Sequence, residues 1–302
     1  AHLARNPPET LHQALQMVYF VFVGLFIEGN AGGYSPGLLD QYLLPFYEKD
    51  RQRGLCDEEA LEIIECLWVK MGEQIWYWNE PAARHYSGFC AFQNIALGGL
   101  DTHGRDAVNT LTYLMLQAGI DVQMVQPSLS VRISKKNPEE FFLKVAELVQ
   151  TGSGFPAIFS DDVGYKMLLK KGIPAHLARD WAPIGCVEAR HYQWSSAGHY
   201  NLGSAVEFTL TNGVHLKSGK RLGPETGDAA AFKTYEEFRS ALHTQLRHLL
   251  RRFSISQNVL EELHYQYLPN PVASMFTLGC LESGRDLTHG GAEFNTGPGM
   301  NG

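Results

Sequence analysis

Apolar positions crowd the first third of the chain and recur there at helical spacing. From Thr10 to Gly29 the chain reads as a strongly apolar helix, and the run MVYFVFVGLFI, Met17 to Ile27, contains no charge. Its eleven residues fall short of the roughly 20 that cross a bilayer, so the spacing predicts a buried helix. GYSPGLLDQYLLPFY follows, with Pro36 and Gly37 marking a turn. In CDEEALEIIECLWVKMGEQIWYW the apolar residues Leu61, Ile64, Leu67, Trp68 and Met71 share one helical face. DAVNTLTYLMLQAG reads as another helix, stopped by Gly119.

The pattern then changes. PSLSVRI alternates Leu129, Val131 and Ile133, a strand signature. KNPEEFFLKVAELVQTG predicts a helix with Asn137 as N-cap, Pro138 in its first turn and Gly152 past its end. FPAIFS reads as a short buried strand, DDVGYKMLLKKG as a helix, WAPIGC as a strand and NLGSAVEFTLTNG as a helix with a glycine stop. Strands alternating with helices at this spacing imply βα units around a parallel sheet. TYEEFRSALHTQLRHLLRRF opens with Thr234 and Glu237 at capping-box spacing. PVASMFTLGCLESG fits strand and helix equally, and Lys217 to Asp228 reads as a surface loop.

Composition narrows the class. A chain of 302 residues that is 44% hydrophobic and 19% charged can bury a large core and is not a disordered or fibrous one. The net charge is −7 and no basic tract stands out, which argues against nucleic acid as a partner. Cys56, Cys66, Cys90, Cys186 and Cys280 are odd in number and scattered. They form neither a CxxC pair nor a zinc-spaced cluster, so a reducing cytoplasm is expected, with no membrane and no metal. The first residue is not Met, a helix signal follows almost at once, and EFNTGPGMNG brings no closing element. The chain is therefore expected to be an internal piece of a longer protein.

The chemistry concentrates in PIGCVEARH, Pro183 to His191, where an apolar run ends on Gly-Cys and Glu188 stands two residues beyond Cys186. The strand reading puts Cys186 at a strand's carboxyl end, in the loop before the next helix, where parallel α/β folds bind ligands. A thiol S–H is weak enough for a carbon radical to break, and the resulting thiyl takes hydrogen from a substrate carbon. Glu188 would serve as general acid or base. A Cys that only fills core is the plain alternative. An ionic nucleophile activated by His191 or His199 is another.

At these residues the chain resembles the glycyl radical enzymes, the pyruvate formate-lyase-like superfamily. Gly-Cys-Val-Glu, Gly185 to Glu188, is similar to the cysteine loop of the dehydratase and decarboxylase branches. PPETLHQALQ, YSPGLLDQYLLPFYEKD, FCAFQNIALGGLDTHGRDAVN, QPSLSVRI and ESGRDLTHGGAEFNTGPG resemble further blocks in the same order. The resemblance implies an α/β fold, part of a ten-stranded barrel of two parallel half-barrels surrounded by helices and incomplete here. Residues 1–302 would be a catalytic barrel segment, without the N-terminal helices and the C-terminal radical domain. It implies an organic glycyl radical on a glycine outside this chain, installed by a radical SAM activating enzyme. It also implies a small-molecule substrate and a homodimer. The Arg-Val-x-Gly-Tyr type of loop that carries the radical is absent from the sequence, so the resemblance implies that this chain alone is inactive and, with barrel surfaces uncovered, marginally soluble; an inactive paralogue also stays open.

For the substrate, the diol-dehydratase branch has a His before the Ser of the SPG turn, where this chain has Tyr34 before Ser35. That branch also has an Asp after the cysteine loop, and HYQWSSAGHYNL has none. The arylacetate-decarboxylase branch is matched by His215 in TNGVHL and by Glu282 in GCLESG. Tyr34, Phe89, Trp194 and Tyr200 would line a pocket for an aromatic acid, although each taken alone reads first as a core-packing residue. The expected substrate-binding set is Tyr34, Ser35, Phe89, His215 and Glu282, and arylacetate decarboxylation is the first choice. A dehydratase or other C–X lyase is the alternative. Asp161 and Asp162 in FSDDVG read as a loop with a helix N-cap near the barrel mouth, and His85 as substrate contact or core.

Overall fold

The computed structural model describes residues 2–30, 33–77, 79–86, 90–185, 188–191, 197–199, 201–294 and 299–301. They fall into two compact units, Ala1–Gln193 and Trp194–Gly302.

The first unit opens with α1 (Leu11–Gly29), whose first turn is capped by the Thr10 hydroxyl accepting from Gln13 N. Leu11, Ala14, Leu15, Phe22 and Phe26 form its buried stripe. The sequence reading of a buried helix is corrected, because Phe20 is 54% exposed and Ile27 81%. By length and composition α1 would cross a membrane, a test that core helices of soluble proteins also pass. Next come β1 (Gly37–Leu38), α2 (Leu39–Tyr42), α3 (Leu44–Gln52), α4 (Asp57–Gly72), α5 (Glu80–Tyr86), β2 (Ile95–Gly98), α6 (Thr110–Val122) and β3 (Leu129–Ile133). α7 (Glu139–Gln150), β4 (Ala157–Ser160), α8 (Asp161–Lys170), α9 (Ala175–Ala178), β5 (Trp181–Ile184) and β6 (Glu188–His191) complete the unit.

Strands β1-β2-β3-β4 lie in that order in one parallel sheet, as the alternation of strands and helices predicts. Side chains alternate between its faces. Ile95, Leu97, Leu129 and Val131 face the helices and join a core with Leu11, Ile64, Trp68, Met71, Leu111, Met115, Phe141 and Leu148. The other face is small or polar. Ala96 pairs in register with Ser130, and Gly98 with Arg132. On it Ala96 and Leu38 pack against Ala182 of β5, so β5 runs across this inner face where small side chains leave room.

Four local readings are corrected. Gly119 does not end α6 but sits inside it, where a Cβ would lie 2.6 Å from Leu129 Cδ1; the missing side chain lets helix and sheet approach. Asn137 does not cap α7: its Oδ1 accepts from Ser134 N and closes the preceding turn, and Pro138 holds the cap position. β4 is no buried strand but the last strand of the sheet, with Ile158 53% exposed. β5 leads not to a helix but straight back, pairing antiparallel with β6 so that Ile184 faces Glu188. β5 and β6 are thus the two arms of a hairpin, and Gly185 is the last described residue of the first arm. Cys186 lies outside the described residues, and so do Phe89, Trp194 and Tyr200.

The second unit contains β7 (Ala197–His199), α10 (Leu202–Leu210), α11 (Tyr235–Tyr267), α12 (Pro271–Met275), α13 (Cys280–Ser283) and β8 (Gly299–Asn301), with β7 and β8 paired in parallel. PVASMFTLGCLESG thus resolves into two short helices. α11 begins as expected, the Thr234 hydroxyl accepting from Glu237 N. The loop 217–228 is tied down at its far end, where Asn212 Oδ1 accepts from Thr226 N and Gly227 N and the buried Gln245 donates to Pro224 O.

Candidate active site

Three stretches distant in sequence meet at the tip of the β5–β6 hairpin. Gly33 bridges Phe92, and Tyr34 N donates to Phe92 O at 3.0 Å. A Cβ on Gly33 would stand 3.0 Å from Phe92 O and 3.1 Å from Gly185 Cα, so only glycine allows this backbone-to-backbone approach. Ser35 Oγ accepts from Gly185 N at 2.9 Å, across 150 residues, and from Asn94 N at 3.1 Å. Gly185 has φ 55°, the left-handed turn that lets the chain reverse. The Glu188 carboxylate folds over that turn, with Oε2 3.1 Å from where a Gly185 Cβ would be. A half-buried carboxylate thus lies against the residue that precedes Cys186.

The base of the hairpin is held differently. Arg132, fully buried on β3, donates through Nη1 to Trp181 O at 2.9 Å and through Nη2 to Leu100 O and Arg179 O. Its charge is met by Asp161, to which Nε donates at 2.8 Å. Trp181 Nε1 and Leu100 N donate to the same carboxylate. Burial of two charges is costly unless pairing and hydrogen bonds complete both, as they do here. Asp161 is therefore not a loop or N-cap residue; it is 1% exposed, in the first turn of α8, and Ser160 holds the N-cap position. The sequence reading missed Arg132 as well, because a cation in an apolar strand has no partner visible nearby. The residue type was itself the signal: Arg is almost never fully buried unless paired.

Tyr34 is half-buried beside the core, and burial, helped by Glu28, pushes its hydroxyl up to about 12. It stays a neutral donor at any working pH. In the second unit, His215 Nδ1 lies 2.8 Å from Ser218 Oγ and its ring meets Phe208 edge-on. Glu282 is exposed and accepts from Gly279 N in the first turn of α13. His85 falls in α5, His191 in β6 and His199 in β7. Among the described residues no three His, Cys, Asp or Glu side chains converge as a metal site.

A family model described as pyruvate formate lyase-like matches residues 1–302. The chain belongs to the pyruvate formate lyase-like family. This family member is 36% identical to trans-4-hydroxy-L-proline dehydratase of Clostridioides difficile, a match covering 96% of this chain and 38% of that enzyme. It superposes on the glycerol-bound B12-independent glycerol dehydratase from Clostridium butyricum with a TM-score of 0.89 at 33% identity, covering 97% of this chain and 37% of that one. A glycyl radical enzyme from Archaeoglobus fulgidus gives a TM-score of 0.87 at 32% identity, over 95% of this chain and 38% of that one. Isethionate sulfite-lyases are also among the relatives, as is an indoleacetate decarboxylase of Tractidigestivibacter scatoligenes at 29% identity. The chain spans under two fifths of the length of these relatives. The glycyl radical enzyme resemblance and the α/β fold with a parallel sheet both hold.

Proposed function

We propose that this chain is the cysteine-bearing catalytic segment of a glycyl radical lyase that removes a leaving group from a small hydroxylated substrate. The observation that carries the reading is the contact of the Glu188 carboxylate with Gly185, the residue that precedes Cys186 in sequence. The radical, on a glycine outside this chain and installed by a radical SAM activating enzyme, supplies one service: removal of the hydrogen atom from the Cys186 thiol. The inner face of the sheet suits that chemistry, since Leu38, Ala96 and Ala182 are buried there and a reactive radical needs a site that excludes water.

From there the chain's own residues act. Cys186 sulfur takes the hydrogen from a substrate carbon bearing a hydroxyl. Glu188 accepts that hydroxyl's proton, the neighbouring C–X bond breaks, and the proton leaves with X as HX. The carbon that lost X recovers its hydrogen from Cys186, so HO–CHR–CH2–X becomes a carbonyl compound plus HX. Tyr34, neutral, donates to a substrate oxygen. The protein works as a cytoplasmic homodimer on a small molecule, in keeping with its acidic charge and scattered thiols.

Dehydration or C–S cleavage ranks ahead of arylacetate decarboxylation, the first choice from sequence. Dehydratases and sulfite-lyases predominate among the relatives, and that choice rested on His215 and Glu282, each of which has a local partner. The test is an anaerobic product assay on the activated full-length protein. Isethionate, glycerol and propanediol, which fit HO–CHR–CH2–X, are run beside phenylacetate and indoleacetate. Turnover of a hydroxylated substrate with release of water or sulfite is expected; carbon dioxide release from the aryl acids alone would reverse the ranking.

A further inference from the structure

Ser35 was expected to touch substrate, yet its described bonds run to the protein backbone. A hydroxyl has two acceptor positions and one proton. Gly185 N and Asn94 N fill both acceptor positions, so the oxygen joins the tip of the cysteine hairpin to the start of β2. Asn94 is fully buried and one residue ahead of a strand locked in register with β1 and β3, so it is a rigid anchor. Gly185 is the opposite. Its φ of 55° belongs to a turn with no side chain to hold it, and it immediately precedes Cys186. A one-residue lever therefore links a fixed oxygen to the sulfur-bearing residue. Gly33 supports the same contact from the other side, its missing side chain letting the Ser35 segment reach Gly185.

We propose that Ser35 is a positioning residue, a clamp that fixes the cysteine hairpin on the inner face of the sheet and so sets where Cys186 presents its sulfur. The proposal rests on Cys186 being the radical-carrying residue. A radical relay by hydrogen-atom transfer requires donor and acceptor in near contact, and misplacement by about 1 Å costs on the order of 10²-fold in rate. Losing the clamp should lower kcat and leave KM in place, whereas losing a substrate contact should raise KM.

The test uses the full-length protein with Ser35→Ala, Ser35→Thr, Gly33→Ala and Cys186→Ser. Thr keeps the oxygen, and its branched side chain suits the extended backbone required before Pro36. Two readouts are taken: kcat and KM after anaerobic activation, and the alkylation rate of each cysteine in the unactivated protein, resolved by peptide mass spectrometry. Ser35→Ala is expected to lower kcat about 10- to 10²-fold with KM within about twofold. It should speed alkylation of Cys186 alone, with the buried Cys280 unchanged as a check on overall folding. Ser35→Thr should restore both readouts. Gly33→Ala should move both in the same direction by less, and it keeps the idea testable if Ser35→Ala fails to fold. Unchanged kcat and Cys186 reactivity in both Ser35→Ala and Gly33→Ala would overturn the clamp, and so would a rise in KM alone. Undiminished turnover in Cys186→Ser would instead overturn the radical assignment itself, whatever the Ser35 variants do.

Discussion

The two faces of one parallel sheet are built on opposite principles. The face toward the helices is Ile95, Leu97, Leu129 and Val131, large apolar side chains that interlock with α1, α4, α6 and α7. The opposite face is Ala96, Gly98, Ser130 and Arg132, residues too small or too polar to form a core of their own. That second face is a cradle for β5 and its hairpin, held by hydrogen bonds at its base through Arg132 and at its tip through Ser35. The first face makes the unit stable, and the second holds the hairpin on which the proposed chemistry rests. The two even treat buried carboxyls differently. Asp161, by the inner face, is neutralised by Arg132. Asp40, where α2 meets β2 and α6, accepts from Gly98 N and the Thr112 hydroxyl, and burial outweighs these bonds and the Arg132 charge to push it up to about 6.

Changes on the two faces should therefore fail in different ways. The largest loss is expected from Arg132→Met, which leaves Asp161 charged, buried and unpaired: about 3–5 kcal/mol by denaturant unfolding. Arg132→Met with Asp161→Leu should recover most of that stability but not turnover, since the Trp181 carbonyl stays unheld. Leu97→Ala, one residue along on the other face, should cost about 2–5 kcal/mol and leave kcat per folded molecule unchanged. Equal loss of kcat in Leu97→Ala and in the double variant would erase the distinction.

Asp40 gives a pH signature. Its carboxyl holds its proton more tightly folded than unfolded, so the folded state binds more protons between about pH 4 and 6. Stability from this group is full below that window and falls as pH rises through it, by up to about 3 kcal/mol. In Asp40→Asn that fall should vanish, whatever constant offset the substitution adds; the comparison is urea unfolding at pH 4 and pH 7. The smallest effect should come from Ala96→Val, where added methyl groups push on Ala182: about 1–3 kcal/mol, with kcat reduced more than stability implies.

The sequence made the apolar face readable, because periodicity reports burial against helices directly. Cys186 and Glu188 could be nominated as well, being two residues apart in a motif. What holds them was not. Ser35 meets Gly185 across 150 residues and Arg132 meets Asp161 across 29, and no local pattern encodes such pairings. The hairpin was missed because EARH shows no apolar alternation; β6 is defined by backbone pairing to β5 rather than by burial. β4 was misread for the converse reason. Its apolar Ile158 points away from the core of its own unit, and apolar character alone does not reveal the last strand of a sheet.

The central claim is that the inner-face hairpin carries a radical cysteine. The most direct measurement is electron paramagnetic resonance and product assay on the full-length Cys186→Ser protein after anaerobic activation. The account predicts a glycyl radical signal of normal intensity and no turnover, because activation acts on the glycine while the serine O–H bond is too strong to relay hydrogen. Turnover near the wild-type rate, or a covalent substrate adduct on Cys186 in the unactivated wild-type protein, would contradict it.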